Sequence, residues 1–181
     1  MSEPFFTVGH STRSVAELAD ILCASGVVVV VDVRTITRSR ANPQFNQDSL
    51  PAALAPFGLE YQHIAELGGL RPNQFAAADS PNGFWRNRSF RNYADYALGD
   101  AFHRGLDRLR ETGRRRRCAV MCAEAVWWRC HRRIIADYLI AGGDEVFHLM
   151  GRGNVARATL TPAAIPRDSG LVYPAAAPTP G

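Results

Sequence analysis

Five consecutive valines, Val27 to Val31, closing on Asp32, constrain this chain more than any other feature. A strand with one face in water alternates apolar and polar residues. An unbroken valine run belongs instead to a strand covered on both faces, the setting of a parallel sheet with helices packed above and below. The neighbouring segments agree. Phe5 to Val8 is a second apolar run, ending at Gly9-His10-Ser11. Between the two runs Ser14 stands three residues before Glu17, the spacing at which each side chain caps the other's free backbone amide. Leu18, Ile21 and Leu22 then share one helical face, and Gly26 ends the helix.

Further along, a short helix fits Leu50 to Pro56 and a third strand Leu59 to Ile64. One long helix fits Arg91 to Glu111, stopped by Gly113. A fourth strand at Cys118 to Met121, a helix from Trp127 or Trp128 to Ala141, and a fifth strand at Glu145 to Leu149 follow. This order predicts a single α/β domain over residues 1–153: a mostly parallel five-stranded sheet with helices on both faces, a Rossmann-like layering. Residues 70–90 show no periodicity and read as a lid or binding loop. Residues 154–181, rich in Ala and Pro, read as a loosely ordered tail.

No apolar run approaches the roughly 20 residues that cross a bilayer, and Met1 to Phe6 lacks the basic-then-apolar pattern of a secretion signal. A cytoplasmic protein with no membrane partner is expected. All 21 basic residues are arginine, and the absence of lysine removes Schiff-base chemistry and the Walker lysine. The net charge of +4 favours an anionic small molecule or nucleotide as partner. A nucleic-acid-associated module is the alternative, with arginines on phosphates and Trp85, Trp127 and Trp128 stacked on bases. Arg114 to Arg117 read as a solvated turn.

In a parallel sheet the strand ends share one rim, where ligands bind. Three polar clusters follow strands: Gly9-His10-Ser11, Asp32-Val33-Arg34, and Cys122-Ala123-Glu124 with Cys130-His131-Arg132. Cys122 would face the start of the next helix, where free amides stabilise a thiolate, and is the candidate nucleophile or redox thiol. His10 or His131, with Glu124 beside them, would carry protons. Arg34, Arg40 and Arg132 would hold an anion that Asp32 and Ser11 orient. On a continuous helix His131 shares the apolar stripe of Trp127, Ile134 and Tyr138 and faces the sheet, while Arg133 and Asp137 point away. Cys122, Cys130, His131 and His10 also make the ligand set of a tetrahedral zinc or iron site, although the seven residues between the cysteines exceed the gap of compact zinc motifs. A metal or redox sensor, or a reversible Cys122–Cys130 disulfide, stays open. No motif specifies a cofactor.

The stretches Thr7-Val8-Gly9-His10-Ser11-Thr12, Asp32-Val33-Arg34 with Ser39-Arg40 and Asn42-Pro43-Gln44-Phe45, Glu66-Leu67-Gly68-Gly69, Tyr93-Ala94-Asp95-Tyr96, and the Cys122 and Cys130 clusters resemble, in order and spacing, the DUF488 family. The resemblance spans residues 7 to about 153. It implies an intracellular α/β domain whose motif residues are these polar clusters, and no particular reaction. The chain departs from the family pattern at Thr35-Ile36-Thr37, where a proline is usual. It departs again at Ala125 to Arg129, where the linker is usually acidic or proline-containing.

Overall fold

The computed structural model describes residues 2–181. Its main sheet holds six strands, β1 (Phe5–Gly9), β2 (Val29–Asp32), β3 (Glu60–His63), β4 (Cys118–Cys122), β5 (Val146–Gly151) and β6 (Asn154–Arg157), in the order β3-β2-β4-β1-β5-β6. The first five run parallel and β6 is antiparallel to β5. The sheet is thus the expected parallel one with one added edge strand.

Helices α1 (Val15–Ala24) and α2 (Leu50–Leu54) cover one face, and α3 (Arg88–Tyr96), α4 (Asp100–Arg115) and α5 (Arg132–Ala141) the other. The valine run shows why both are needed. Val30 joins the core under α1 and α2, whereas Val29, Val31 and Val33 join the core under α3 to α5. Each such side chain removed from water contributes about 1.5 kcal/mol. The Ser14–Glu17 capping box starts α1. No helix among the described residues is long and apolar enough to cross a membrane.

Three expectations change. The helix expected from Arg91 to Glu111 is two helices, because Gly99 is extended, and α4 passes Gly113 to end at Arg115. The helix expected from Trp127 starts only after His131. Trp127–Arg129 form a 3₁₀ turn, and Cys130 is extended (φ −122°, ψ 146°). Asp137, expected to point away from the core, is fully buried.

The segment after residue 153 explains the last difference. Besides β6 it forms a hairpin of β7 (Ile165–Arg167) and β8 (Gly170–Val172), after which Tyr173 is fully buried. The Tyr173 hydroxyl donates to Asp137 Oδ2 at 2.9 Å, and the Thr161 backbone N–H donates to Asp137 Oδ1 at 2.9 Å. Burial raises the Asp137 carboxyl above its ordinary value, against the pull of these bonds. The Tyr173 N–H donates to Asn82 Oδ1, and Asn82 donates to Asp95 of α3. Residues 82 and 173 are thereby tied together, and a segment read as a tail closes over α3 and α5.

Candidate functional site

The parallel register brings the three polar clusters to one rim. His10 and Ser11 donate backbone N–H bonds to Cys122 O (2.8 Å) and Ala123 O (3.0 Å), and Val33 donates to Met121 O (3.0 Å). Between this rim, the Gly68-Gly69 turn and α3 lies a cleft of about 290 Å³. Cys122, Cys130, His131 and Arg129 line it, with apolar walls from Ile36, Leu70 and Phe90.

Asp32 and Arg34 form the rim's buried ion pair. Arg34 donates from Nε to Asp32 Oδ1 (2.9 Å) and from Nη2 to Asp32 Oδ2 (2.7 Å), and the Tyr61 hydroxyl donates to Oδ2 at 2.5 Å. Burial works against the guanidinium charge, but the adjoining carboxylate more than offsets it and holds the Arg34 pKa above its ordinary value. Burial and the same carboxylate push the Tyr61 hydroxyl up. Arg34 reaches the cleft wall, yet its fork is turned to Asp32.

His10 is closed off from the cleft. Its ring stacks on Phe45 at 4.2 Å, Nδ1 donates to Ser11 O at 2.8 Å, and Nε2 accepts from Arg34 Nη1 at 3.3 Å. Burial lowers its pKa, so the imidazole is neutral and both nitrogens are engaged. It does not sit where a proton carrier of the cleft would. The segment Asn42 to Phe45, already marked by the family resemblance, carried the signal for the stacking ring.

Arg132 is fully buried and faces inward. Nη1 donates to Cys122 Sγ and to Glu124 O, and Nη2 to Ala125 O at 3.0 Å. The guanidinium therefore holds the 122–125 loop from behind, where an anion in the cleft would not meet it. Arg40 and Ser11 do not line the cleft. Glu124 does, exposed, with Oε1 accepting the Val126 N–H. The cation on the cleft wall is Arg129, exposed and without an ion-pair or hydrogen-bond partner among the described residues.

The two cysteines sit in different surroundings. Burial drives the Cys122 thiol well above its ordinary pKa, and the neighbouring Cys130 adds to this. Burial alone would raise Cys130 as well. The neighbouring Cys122 and the Arg132 charge instead bring it below its ordinary value. The extended Cys130 also lets its Sγ accept the Arg132 backbone N–H at 3.5 Å, at the first residue of α5. Arg132 thus donates to both sulfurs, from its guanidinium to Cys122 and from its backbone N–H to Cys130, which the sequence had placed only among metal ligands or in a disulfide. All four cysteines are free.

His131 faces the sheet as expected. Nε2 donates to Val33 O at 2.9 Å, leaving Nδ1 as an acceptor 3.6 Å from Cys130 Sγ. Burial lowers its pKa, so the ring is neutral. Gly69 makes this fit: a Cβ there would lie 2.4 Å from His131 Nδ1. No three His, Cys, Asp or Glu side chains among the described residues gather as a metal cage, since His10 is held by Arg34 and Ser11. The features behind the nucleic-acid alternative are largely engaged elsewhere. Trp85 is buried, Trp127 stacks on His148 at 4.5 Å, and Arg115, Arg116 and Arg117 pair with Glu111, Glu60 and Glu3.

His148, on β5 beneath Trp127, gives the fold a pH dependence. It is buried and bonded to Thr7 Oγ1. Burial, with the Arg132 charge as a further cause, lowers its pKa from 6.5 to about 3. Between those values the unfolded chain binds a proton that the folded one refuses, so its contribution is present above pH 6.5 and is lost as pH falls toward 3. His148→Gln should flatten the acid limb of urea-unfolding stability by about 1.4 kcal/mol between about pH 7.5 and 5.5. Identical pH slopes for variant and parent would contradict the assignment.

The family model described as "Domain of unknown function DUF488" matches residues 14–139. No curated protein and no solved structure matches the chain.

Proposed function

The chain belongs to the DUF488 family, and from that premise we propose that the cleft binds a small molecule with an apolar body and one acidic group, on which Cys130 acts as nucleophile. The observation that carries this reading is the surroundings of Cys130 Sγ. It lines the cleft, accepts the Arg132 N–H, and keeps a lowered pKa in spite of burial. His131 Nδ1 is the acceptor beside it for a proton leaving the thiol. Ile36, Leu70 and Phe90 receive the apolar part of the ligand, and Arg129 pairs with its acidic group. Cys122, which accepts from the Arg132 guanidinium, is in this reading not the attacking thiol, a reversal of the order expected from sequence.

Alkylation tests this directly. At neutral pH iodoacetamide should modify Cys130 about tenfold faster than Cys118, whose thiol burial pushes up to about 12. Iodoacetate carries the acidic group for which Arg129 is proposed. Arg129→Gln should slow its reaction at Cys130 about fivefold, on the order of an exposed ion pair, and leave the iodoacetamide rate unchanged. Peptide mapping by mass spectrometry reads both. A Cys130 no faster than Cys118 removes the nucleophile, and equal loss with both reagents removes the acidic group.

A further inference from the structure

A second thiol stands beside the nucleophile, and the reading above gives it no reaction of its own. Cys122, at the end of β4, lines the same cleft as Cys130. One residue holds both sulfurs, since the Arg132 backbone N–H reaches Cys130 and its Nη1 reaches Cys122. The chain between them, residues 123–129, is a loop and one 3₁₀ turn. A Cys122–Cys130 bond would therefore close a segment that contains no strand and no α-helix. Cys118, by contrast, is buried on β4 outside the cleft, and Cys23 is exposed beyond its lining.

We infer that Cys130 and Cys122 form a redox dithiol that reduces a small carboxylate-bearing disulfide in the cleft, Cys130 attacking and Cys122 resolving; this rests on Cys130 being the nucleophile. The Cys130 thiolate attacks one sulfur of the disulfide RSSR. The Cys130–SR bond forms, the S–S bond of RSSR breaks, and RS⁻ leaves. That thiolate takes the proton of Cys122 and departs as RSH. The Cys122 thiolate then attacks Cys130 Sγ, forming the Cys122–Cys130 bond and expelling a second RS⁻. The protein loses two electrons and the substrate gains them. The division of roles follows the site: Cys130, whose pKa is lowered, attacks first, and Cys122, whose pKa is raised, waits until its neighbour has become electrophilic. Arg129 on the cleft wall pairs with the carboxylate of the incoming half.

The test uses the full-length chain carrying Cys23→Ser, reduced, freed of reductant and mixed anaerobically at neutral pH with dithiodipropionate. Two equivalents of mercaptopropionate should be released per chain, with a Cys122–Cys130 disulfide found by peptide mapping. Adding Cys122→Ser should halve the release and leave the mercaptopropionate adduct on Cys130, and adding Cys130→Ser should abolish it. Retention of the adduct by the chain that keeps both thiols, or a disulfide to Cys118, overturns the inference without needing either further variant to fold. Rapid alkylation of Cys130 with no Cys122–Cys130 disulfide sinks the dithiol alone and leaves the nucleophile standing. Slow alkylation together with no mercaptopropionate release sinks both.

Discussion

Asp32→Asn should lower the unfolding free energy by about 3–5 kcal/mol, the cost of leaving a buried charge without its partner. Asp32 is fully buried, and its two oxygens receive the Arg34 backbone N–H, two groups of the Arg34 fork and the Tyr61 hydroxyl. An amide keeps the shape but loses the charge, and it turns an NH₂ toward groups that are themselves donors. The Arg34 guanidinium is then buried with Phe45 O and His10 Nε2 as its remaining partners. Tyr61→Phe is the graded control. It removes one bond to the carboxylate and leaves the charge pair, so it should cost about 1 kcal/mol. Urea titration of both variants with unchanged m-values decides the matter. A loss below about 1 kcal/mol for Asp32→Asn would mean that the ion pair does not hold the rim.

The large-scale arrangement was readable because it is written in apolar periodicity. Unbroken valines mean two covered faces, two covered faces mean a parallel sheet, and a parallel sheet collects residues 9, 32 and 122 at one end. Ser14 and Glu17 fix a helix start through local chemistry alone. Where the reading changed, the determinants were distant in sequence. The amphipathic pattern runs on through Gly99 because α3 and α4 bury their apolar sides in the same core, and periodicity does not register a bend. Tyr173 and Thr161 partner Asp137 from a segment whose Ala and Pro content resembles a tail.

Within the site the same division holds. Position in the fold pointed to His10 and Arg132, but not to what their polar atoms would meet. Nδ1 and Nε2 of His10 are taken by Ser11 and Arg34, and Arg132 is turned toward the loop carbonyls. The placement of Cys130 has the same origin. It depends on the 3₁₀ turn at Trp127–Arg129, which leaves Cys130 extended and its Sγ against the Arg132 N–H. A helix running unbroken from Trp127, as the apolar spacing suggests, would carry Cys130 within its first turn, with its own N–H and side chain committed differently.

The loop that follows Cys122 also sets the second large effect. Gly9→Ala should destabilise the fold by about 3 kcal/mol, at the upper end for an added methyl group in a packed interior. A Cβ on Gly9 would lie 1.8 Å from Glu124 O, 2.5 Å from Glu124 C and 2.8 Å from Ala125 Cα. All three are backbone atoms, so no side-chain rotation relieves the overlap. Nor is the loop free to retreat, because Cys122 O and Ala123 O accept from His10 and Ser11 while Glu124 O and Ala125 O accept from Arg132. Any displacement that admits the methyl group therefore breaks bonds to a buried guanidinium, and it moves Cys122 relative to Cys130. Two readouts should fall together: the urea midpoint and the rate at which iodoacetamide modifies Cys130. Gly151→Ala separates this from a general intolerance of alanine in the sheet. Its new methyl group meets only Asn154 Cβ, at 3.9 Å, and should cost under about 0.5 kcal/mol. Should Gly9→Ala match that control in stability and keep the parental Cys130 rate, the loop would be looser than this packing requires, and the pairing of the two thiols would lose its structural basis.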